Sequence, residues 1–399
     1  MTMKICIVTM LRFHLFNQAD ELGKIKDNNV ELCTAWNANV ASKKFSLSHI
    51  KINGYWIFGM FLYLSQKIPI PSLYSFLLKK INYRFARYAF KRLPANVDKI
   101  IFCSTHLFPN INLIKGINSE IIVDHGSLHP NFEMNLMKKE NKKYNFSESG
   151  NEQKPWMKNW LHEEFEYADK IFVCSELAKK TFIDEGLPQH KIYVNKLGVS
   201  LEQFMSSQTR AYDIDSNNVN ILSVGAVIPR KGIHRLIEAL RLIEDYKFTV
   251  TCVGTKPKDP SLKKILDNPG RNISVVLTGP IEQSKLNRYY SKTDMFILSS
   301  ICDGFGMVTP QAMASKSVCL VSDNAGSKEL IEDNHNGFII PNVLDRQIFS
   351  QIIYRVLKLT SKDRQEIANQ ASKTVSDHLG WSKYGNDVHE NLVKNVSQK

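Results

Sequence analysis

The stretch ILSVGAVIPRKGIHRLIEAL, residues Ile221 to Leu240, changes its hydrophobic period part-way along. An almost unbroken apolar run ends at Gly225, a short loop carries Pro229, Arg230, Lys231 and Gly232, and Ile233, Leu236, Ile237 and Leu240 then recur at helical spacing. A run apolar on both faces, followed by an amphipathic helix, suits a strand buried in a parallel sheet and its crossover helix. Similar runs recur on both sides of it. In the first half they are Lys4 to Thr9, Lys99 to Ser104, Glu120 to His125 and Lys170 to Ser175. In the second they are Asn220 to Gly225, Phe248 to Gly254, Ile273 to Gly279, Met295 to Ser300 and Ser317 to Ser322. The reading is an α/β protein with two parallel sheets.

A length of 399 residues suits two domains, and 43% hydrophobic with 23% charged residues excludes a disordered tail or a disulfide mini-scaffold. Met205 to Asn218 is polar and lacks an apolar period, so it predicts a linker between a domain of residues 1–204 and one of residues 219–375. Trp381 opens a last amphipathic segment. Cysteine is present in seven copies, five of them inside short apolar runs, which reads as reduced strand thiols in a cytosolic protein. The run from Lys4 to Thr9 is too short for a secretory signal. The formal charge of +13 implies an anionic partner. Residues 51–100 carry nine Lys and Arg against one acid, Asp98.

Two stretches carry chemistry. Arg230 and Lys231 follow a predicted strand at its carboxyl end, where open α/β sheets bind ligands, and adjacent Arg and Lys suit a pyrophosphate; a solvated basic turn is the plainer alternative. CDGFGMVTPQAMASKSVCLVSD, Cys302 to Asp323, directly follows the run that ends at Ser300. Gly304 and Gly306 allow close approach of backbone to a ligand, and a helix starting near Thr309 and Pro310 would aim its free amides at negative charge. Asp303 stands at the lip of that loop and Gln311 in the first turn of the helix, although pure packing would also use a glycine turn.

Together these stretches resemble the retaining glycosyltransferases of family four, part of the glycosyl transferases group 1. Their fold is GT-B, two Rossmann-like domains with parallel sheets facing an interdomain cleft. The family carries a Glu-x7-Glu motif inside EGFG...EAMA, where this chain reads DGFGMVTPQAMA. Asp303 and Gln311 replace the two glutamates, while Gly304, Phe305, Gly306, Ala312, Met313 and Ala314 stand as in the family. Residues Tyr167 to Phe204 and Ala325 to Pro341 are similar to the flanking family segments.

The resemblance implies transfer of a hexosyl group from a nucleotide-diphosphate sugar, with retention of configuration and without metal or other cofactor. The acceptor would be a glycan or lipid-linked glycan, in cell-surface polysaccharide or lipopolysaccharide biosynthesis. Arg230, Lys231, Gly304, Phe305, Gly306, Met307 and Gln311 would bind the donor, and Asp303 and His125 would be catalytic. The last helix, residues 381–399, would pack back on the first domain. Arg12 and His14 occupy the place of the family's Gly-Gly loop after the first strand and are candidate acceptor contacts. A catalytically inactive subunit of the same fold and a soluble transferase for a small acceptor stay open as alternatives.

Residues 55–64, YWIFGMFLYL, are too few to cross a bilayer. Between Ile68 and Leu93, Tyr, Phe and Leu interleave with Lys79, Lys80, Arg84, Arg87, Lys91 and Arg92. That pattern predicts an interfacial helix on the anionic cytoplasmic leaflet, or a core helix whose polar face is basic. No RRM, KH or zinc-finger motif supports nucleic acid. Asp213-Ile214-Asp215 imitates a metal-binding DxD but follows no strand, so it reads as a solvated turn.

Overall fold

The computed structural model describes residues 2–68, 70–107, 110–147, 155–205, 212–215 and 217–394. The amino-terminal domain has strands β1 (Met3–Val8), β2 (Asn28–Thr34), β3 (Lys51–Gly54), β4 (Lys99–Cys103), β5 (Glu120–His125), β6 (Lys170–Val173) and β7 (Ile192–Val194). Its helices are α1 (His14–Lys24), α2 (Ala38–Phe45), α3 (Trp56–Ser65), α4 (Pro71–Phe90), α5 (Pro130–Tyr144), α6 (Pro155–Tyr167) and α7 (Glu176–Asp184). The second domain has β8 (Val219–Val224), β9 (Phe248–Val253), β10 (Ile273–Gly279), β11 (Met295–Leu298), β12 (Val318–Ser322) and β13 (Phe338–Ile340). Its helices are α8 (Ile233–Leu240), α9 (Pro260–Asp267), α10 (Asn287–Tyr290), α11 (Val308–Ala314), α12 (Arg346–Leu357) and α13 (Ser361–His378), and α14 (Trp381–Val393) closes the chain.

Both sheets are parallel, in the orders β3-β2-β1-β4-β5-β6-β7 and β10-β9-β8-β11-β12-β13. In each, the chain builds outward from the first strand of its domain, then returns and builds the other way. The reversal lies between β1 and β4 in one domain and between β8 and β11 in the other. Loops leaving the carboxyl ends of such a strand pair diverge to opposite faces and open a crevice, which is where sheets of this kind bind ligands.

Four strands were not apparent in the sequence. β3, β7 and β13 are edge strands of three or four residues, too short for a hydrophobic run, and β3 reads KING. β2 is interrupted by Glu31, whose carboxylate takes hydrogen bonds from Lys51 Nζ at 3.0 Å and Asn53 Nδ2 at 2.8 Å on its neighbour β3. The expected linker falls partly outside the described residues. Its described part is tied to the second domain: Tyr212 OH donates to Lys316 O at 3.2 Å, and Asp213 accepts from Ser361 Oγ.

Several junctions join the halves, and two of them pack helices together. Helix α14 lies against α1, where Gln18 Nε2 donates to the OH of buried Tyr384 at 3.1 Å. The fully buried Lys170 Nζ donates to Asn391 O at 2.9 Å and pairs with Glu120 at 3.1 Å. At the second, α5 meets α8. Glu140 accepts from Arg235 Nε and Nη2 at 2.6 Å each and sits 2.7 Å from His234 Nε2, all three side chains being buried. Among the described residues no helix is long and apolar enough to cross a membrane.

Candidate active site

At the carboxyl end of β8 a single turn, Pro229–Lys231, precedes α8. Gly232 follows at φ +66°, and a Cβ there would fall 1.9 Å from Ser299 O, so glycine lets the turn seat against the end of β11. Ile301 N donates to Arg230 O at 2.8 Å and Ser299 Oγ to Lys231 O at 3.1 Å. The loops after β8 and β11, neighbours at the topological reversal, are thereby stitched together.

Their side chains converge. Lys231 Nζ is ion-paired with Asp303 Oδ2, Ser300 Oγ donates to the same oxygen at 3.3 Å, and Arg230 Nη1 donates to Cys302 O at 2.8 Å. Burial by itself would raise the Asp303 carboxyl; Lys231 and Arg230 outweigh it and hold the group below the ordinary aspartate range. Burial likewise disfavours charge on Arg230, but Asp303 and Glu133 keep the guanidinium firmly protonated. Glu133, on α5 across the cleft, is pushed up by burial against the opposing effect of Arg230 and of its bond from Ser127 Oγ. The cluster therefore offers two cations to one ionised carboxylate, with a second carboxyl biased toward its neutral form. A diphosphate fits that balance.

The loop carrying DGFG is packed more closely than its sequence suggests. A Cβ on Gly304 would meet Gly126 O and Ser127 Cα at 2.5 Å, and Ser175 Oγ donates to Gly304 O at 2.6 Å. The close approach at Gly304 is thus to the backbone of the other domain. Gly306 stands at φ +84°, with Leu298 Cδ2 2.7 Å from where its Cβ would be. Phe305, expected at the donor, is a core side chain, 2% exposed. Met307 is half-buried against the same core at the start of α11. Gln311 is 8% exposed, and its Oε1 accepts from the OH of buried Tyr290 at 3.2 Å, which leaves the amide nitrogen as its available end.

His125, expected to face the sugar, is buried at the end of β5 among polar and aromatic partners. Its Nδ1 lies 3.0 Å from Ser104 Oγ and its Nε2 3.2 Å from Leu128 O, and the ring packs edge-on to Phe165 and Phe182. Successive residues of a strand point to opposite faces, so it is Asp124 that faces the other way. There Asp124 Oδ1 meets His14 Nε2 at 2.6 Å, and Gln18 Nε2 donates to Oδ2 at 3.2 Å. A Cβ on Gly126 would lie 3.4 Å from the His14 ring, and Gly126 is what Gly304 touches, so the His14–Asp124 pair borders the cleft. Arg12 does not join it; the exposed guanidinium lies 4.4 Å from the Phe45 ring.

Burial pushes both His125 and His106 down to about 4. Unfolded histidines titrate near 6.5, so between these values the unfolded chain binds more protons. Stability is then fully present above about pH 6.5 and falls as pH drops toward 4, by up to about 1.4 kcal/mol per pH unit for each ring. Urea titrations at stepped pH should show this slope, and His125→Asn should reduce it while the His106 contribution remains. An unchanged slope in the variant would remove His125 from the account.

With this geometry in place the relatives become informative. Residues 205–374 match the family model described as Glycosyl transferases group 1. That segment is similar to the group 1 glycosyl transferases. It spans the second sheet and the Arg230, Lys231 and Asp303 cluster. The chain is 28% identical over 200 residues to the amylovoran biosynthesis glycosyltransferase AmsK of Erwinia amylovora, covering 48% of each chain. It is 22% identical over 228 residues to the capsular polysaccharide biosynthesis glycosyltransferase CapM of Staphylococcus aureus, covering 53% of this chain and 57% of CapM. The chain thus spans about half the length of the curated relatives it matches. The structure of HepE from Anabaena in complex with UDP-glucose superposes with a TM-score of 0.64 at 16% identity, covering 98% of this chain and 99% of that one. At that identity the likeness shows the fold, which is GT-B.

Asp124, Glu133, Ser127 and Ser300 enter the site without having been singled out in the sequence. Asp124 had a signal, an acid inside the apolar run EIIVDH. Glu133 had none, because only the docking of α5 across the cleft brings it near Arg230. Among the described residues no group of three or more His, Cys, Asp or Glu is placed to hold a metal ion.

Proposed function

We propose that the protein transfers a hexosyl group from a nucleotide-diphosphate sugar to a glycan or lipid-linked acceptor, with retention of configuration, in the assembly of a cell-surface polysaccharide or lipopolysaccharide. The observation that carries this reading is the convergence of Arg230, Lys231 and Asp303 at the β8/β11 reversal of the segment similar to the group 1 glycosyl transferases. The names of AmsK and CapM support the polysaccharide setting, and the UDP-glucose held by HepE supports the donor class.

In the proposed step the bond from the anomeric carbon to the β-phosphate oxygen breaks while the acceptor hydroxyl oxygen bonds that carbon from the same face. The acceptor proton passes to the departing phosphate. Arg230 and Lys231 stabilise the charge gathering on the diphosphate, so the step is proposed without a metal. Asp303 orients the sugar and favours its cationic transition state. His14, held by Asp124, lines the acceptor side. The Lys231–Asp303 ion pair makes both groups change partners when donor binds, which couples nucleotide binding to release of the carboxylate toward the sugar. The apolar surface of α3 and the basic surface of α4 are proposed to hold the enzyme on the cytoplasmic leaflet.

Thermal-shift screening with nucleotide sugars, then mass spectrometry of products formed on membrane extracts, tests the activity. An anomeric proton coupling in the product that matches the donor's configuration supports retention, and the opposite configuration rejects it. Lys231→Ala is expected to lower turnover at least tenfold, about 1.4 kcal/mol. Near-normal turnover would remove Lys231 from the site.

A further inference from the structure

Helix α3 begins where β3 ends. Tyr55 N donates to Thr34 O at 2.7 Å, and a Cβ on Gly59 would fall 2.5 Å from Ala35 O, so α3 is seated on the carboxyl edge of the first sheet. That is the edge bearing His14 and the cleft. Helix α4 returns beside it, joined through Phe85, which packs against Tyr55 and Phe58 of the α3 segment and against His106 at the end of β4.

Little of this hairpin is covered. Within α3 only Leu62 and Ser65 are buried. Among the described residues, ten of the twenty large apolar side chains that are exposed lie between Trp56 and Tyr88. A monomeric soluble protein rarely shows such a concentration without a ligand for it. The two helices enclose an open groove of about 700 Å³, with Ile57, Phe58, Phe61, Leu64, Leu77 and Ile81 forming its apolar wall. Lys80, Arg84, Arg87 and Lys91 line the same groove. Their spacing of four, three and four residues places them in one stripe along α4. None of the four forms a salt bridge among the described residues, and residues 51–97 contain no Asp or Glu at all.

An occupant must therefore present hydrocarbon to the wall and negative charge to the stripe. A single-chain lipid phosphate does both, and the volume lies within the range of small-ligand sites. We propose that this groove holds the hydrocarbon tail of a lipid-phosphate-linked acceptor, with the phosphate on the α4 stripe and the sugar end directed over the carboxyl edge of the sheet into the cleft. The inference rests on the glycosyl transfer proposed above and names its acceptor class. Arginine binds phosphate oxygens in pairs, which makes Arg84 and Arg87 the principal contacts.

Isothermal titration of the full chain with farnesyl phosphate below its micelle concentration tests this directly. The expected result is micromolar binding, at least tenfold tighter than that of farnesol or of inorganic phosphate. Phe61→Glu and Arg84→Glu, both at exposed positions, should each weaken it at least tenfold. Titration of the same variants with UDP and GDP reports the donor site, which these changes leave at wild-type affinity. Binding of farnesyl phosphate within twofold of wild type in both variants overturns the groove assignment. So does adsorption to phosphatidylglycerol vesicles with no binding of monomeric farnesyl phosphate, since that outcome describes a membrane-facing surface alone. If wild-type protein binds farnesyl phosphate as expected but transfers no sugar, the tail site stands and the proposed activity fails.

Discussion

Asp303→Asn should lower kcat/KM about ten- to a hundredfold while leaving the chain folded. The carboxylate is 8% exposed and is held ionised by its ion pair with Lys231 and by the nearby charge of Arg230, with a second bond from Ser300. Asparagine keeps the shape and loses the charge. A charge-assisted bond to a buried carboxylate contributes on the order of 1.5–3 kcal/mol, and each 1.4 kcal/mol of transition-state stabilisation is a factor of about ten. If the role is electrostatic support of a cationic sugar, the loss appears in kcat more than in KM. Asp303→Glu, which restores the residue type of the resembling family, should recover part of the rate. A loss under threefold in the asparagine variant would assign Asp303 to the structure of the loop and not to the reaction.

Glu140→Ala should destabilise the protein by about 3–5 kcal/mol, because it strands a buried guanidinium. Arg235 reaches Glu140 through two bonds of 2.6 Å, and His234 adds a third at 2.7 Å. Without the carboxylate, Arg235 keeps Leu344 O at 3.1 Å, Glu238 at 3.4 Å and the face of the Tyr144 ring at 4.8 Å. Glu140 belongs to α5 and its partners to α8, so the change also loosens the contact between the two halves. Denaturant titration would measure the loss. Replacement of the whole cluster by apolar residues of similar size should cost less than Glu140→Ala alone, since burying ions is itself expensive. The effect reaches the site indirectly: α8 starts two residues after Lys231, and a displaced α8 moves the turn that carries both cations.

Asp124 and His14 illustrate how far the linear chain can be read. The apolar run through Asp124 announced a buried strand, and a polar residue inside it was visible. Which of Asp124 and His125 meets α1 depends on the side from which that helix packs, and that is a tertiary fact. The same holds for Gly304. Its place in a glycine-rich loop was legible, but the backbone that crowds it belongs to residues 126 and 127 of the other domain.

The hydrophobic period by itself determined the α/β class, the separation into two sheets and the position of Arg230, Lys231 and Asp303 at strand ends, because burial in a parallel sheet demands long apolar runs and these recur locally. Short edge strands such as β3 and β7 carried too few residues for that signal. Only the tertiary structure decided that Lys231 meets Asp303, that Glu140 meets Arg235, and that α3 and α4 leave a groove between them. Ion pairs and grooves form between segments distant in sequence. Their geometry is set by how helices dock on a sheet edge, and no local period encodes that.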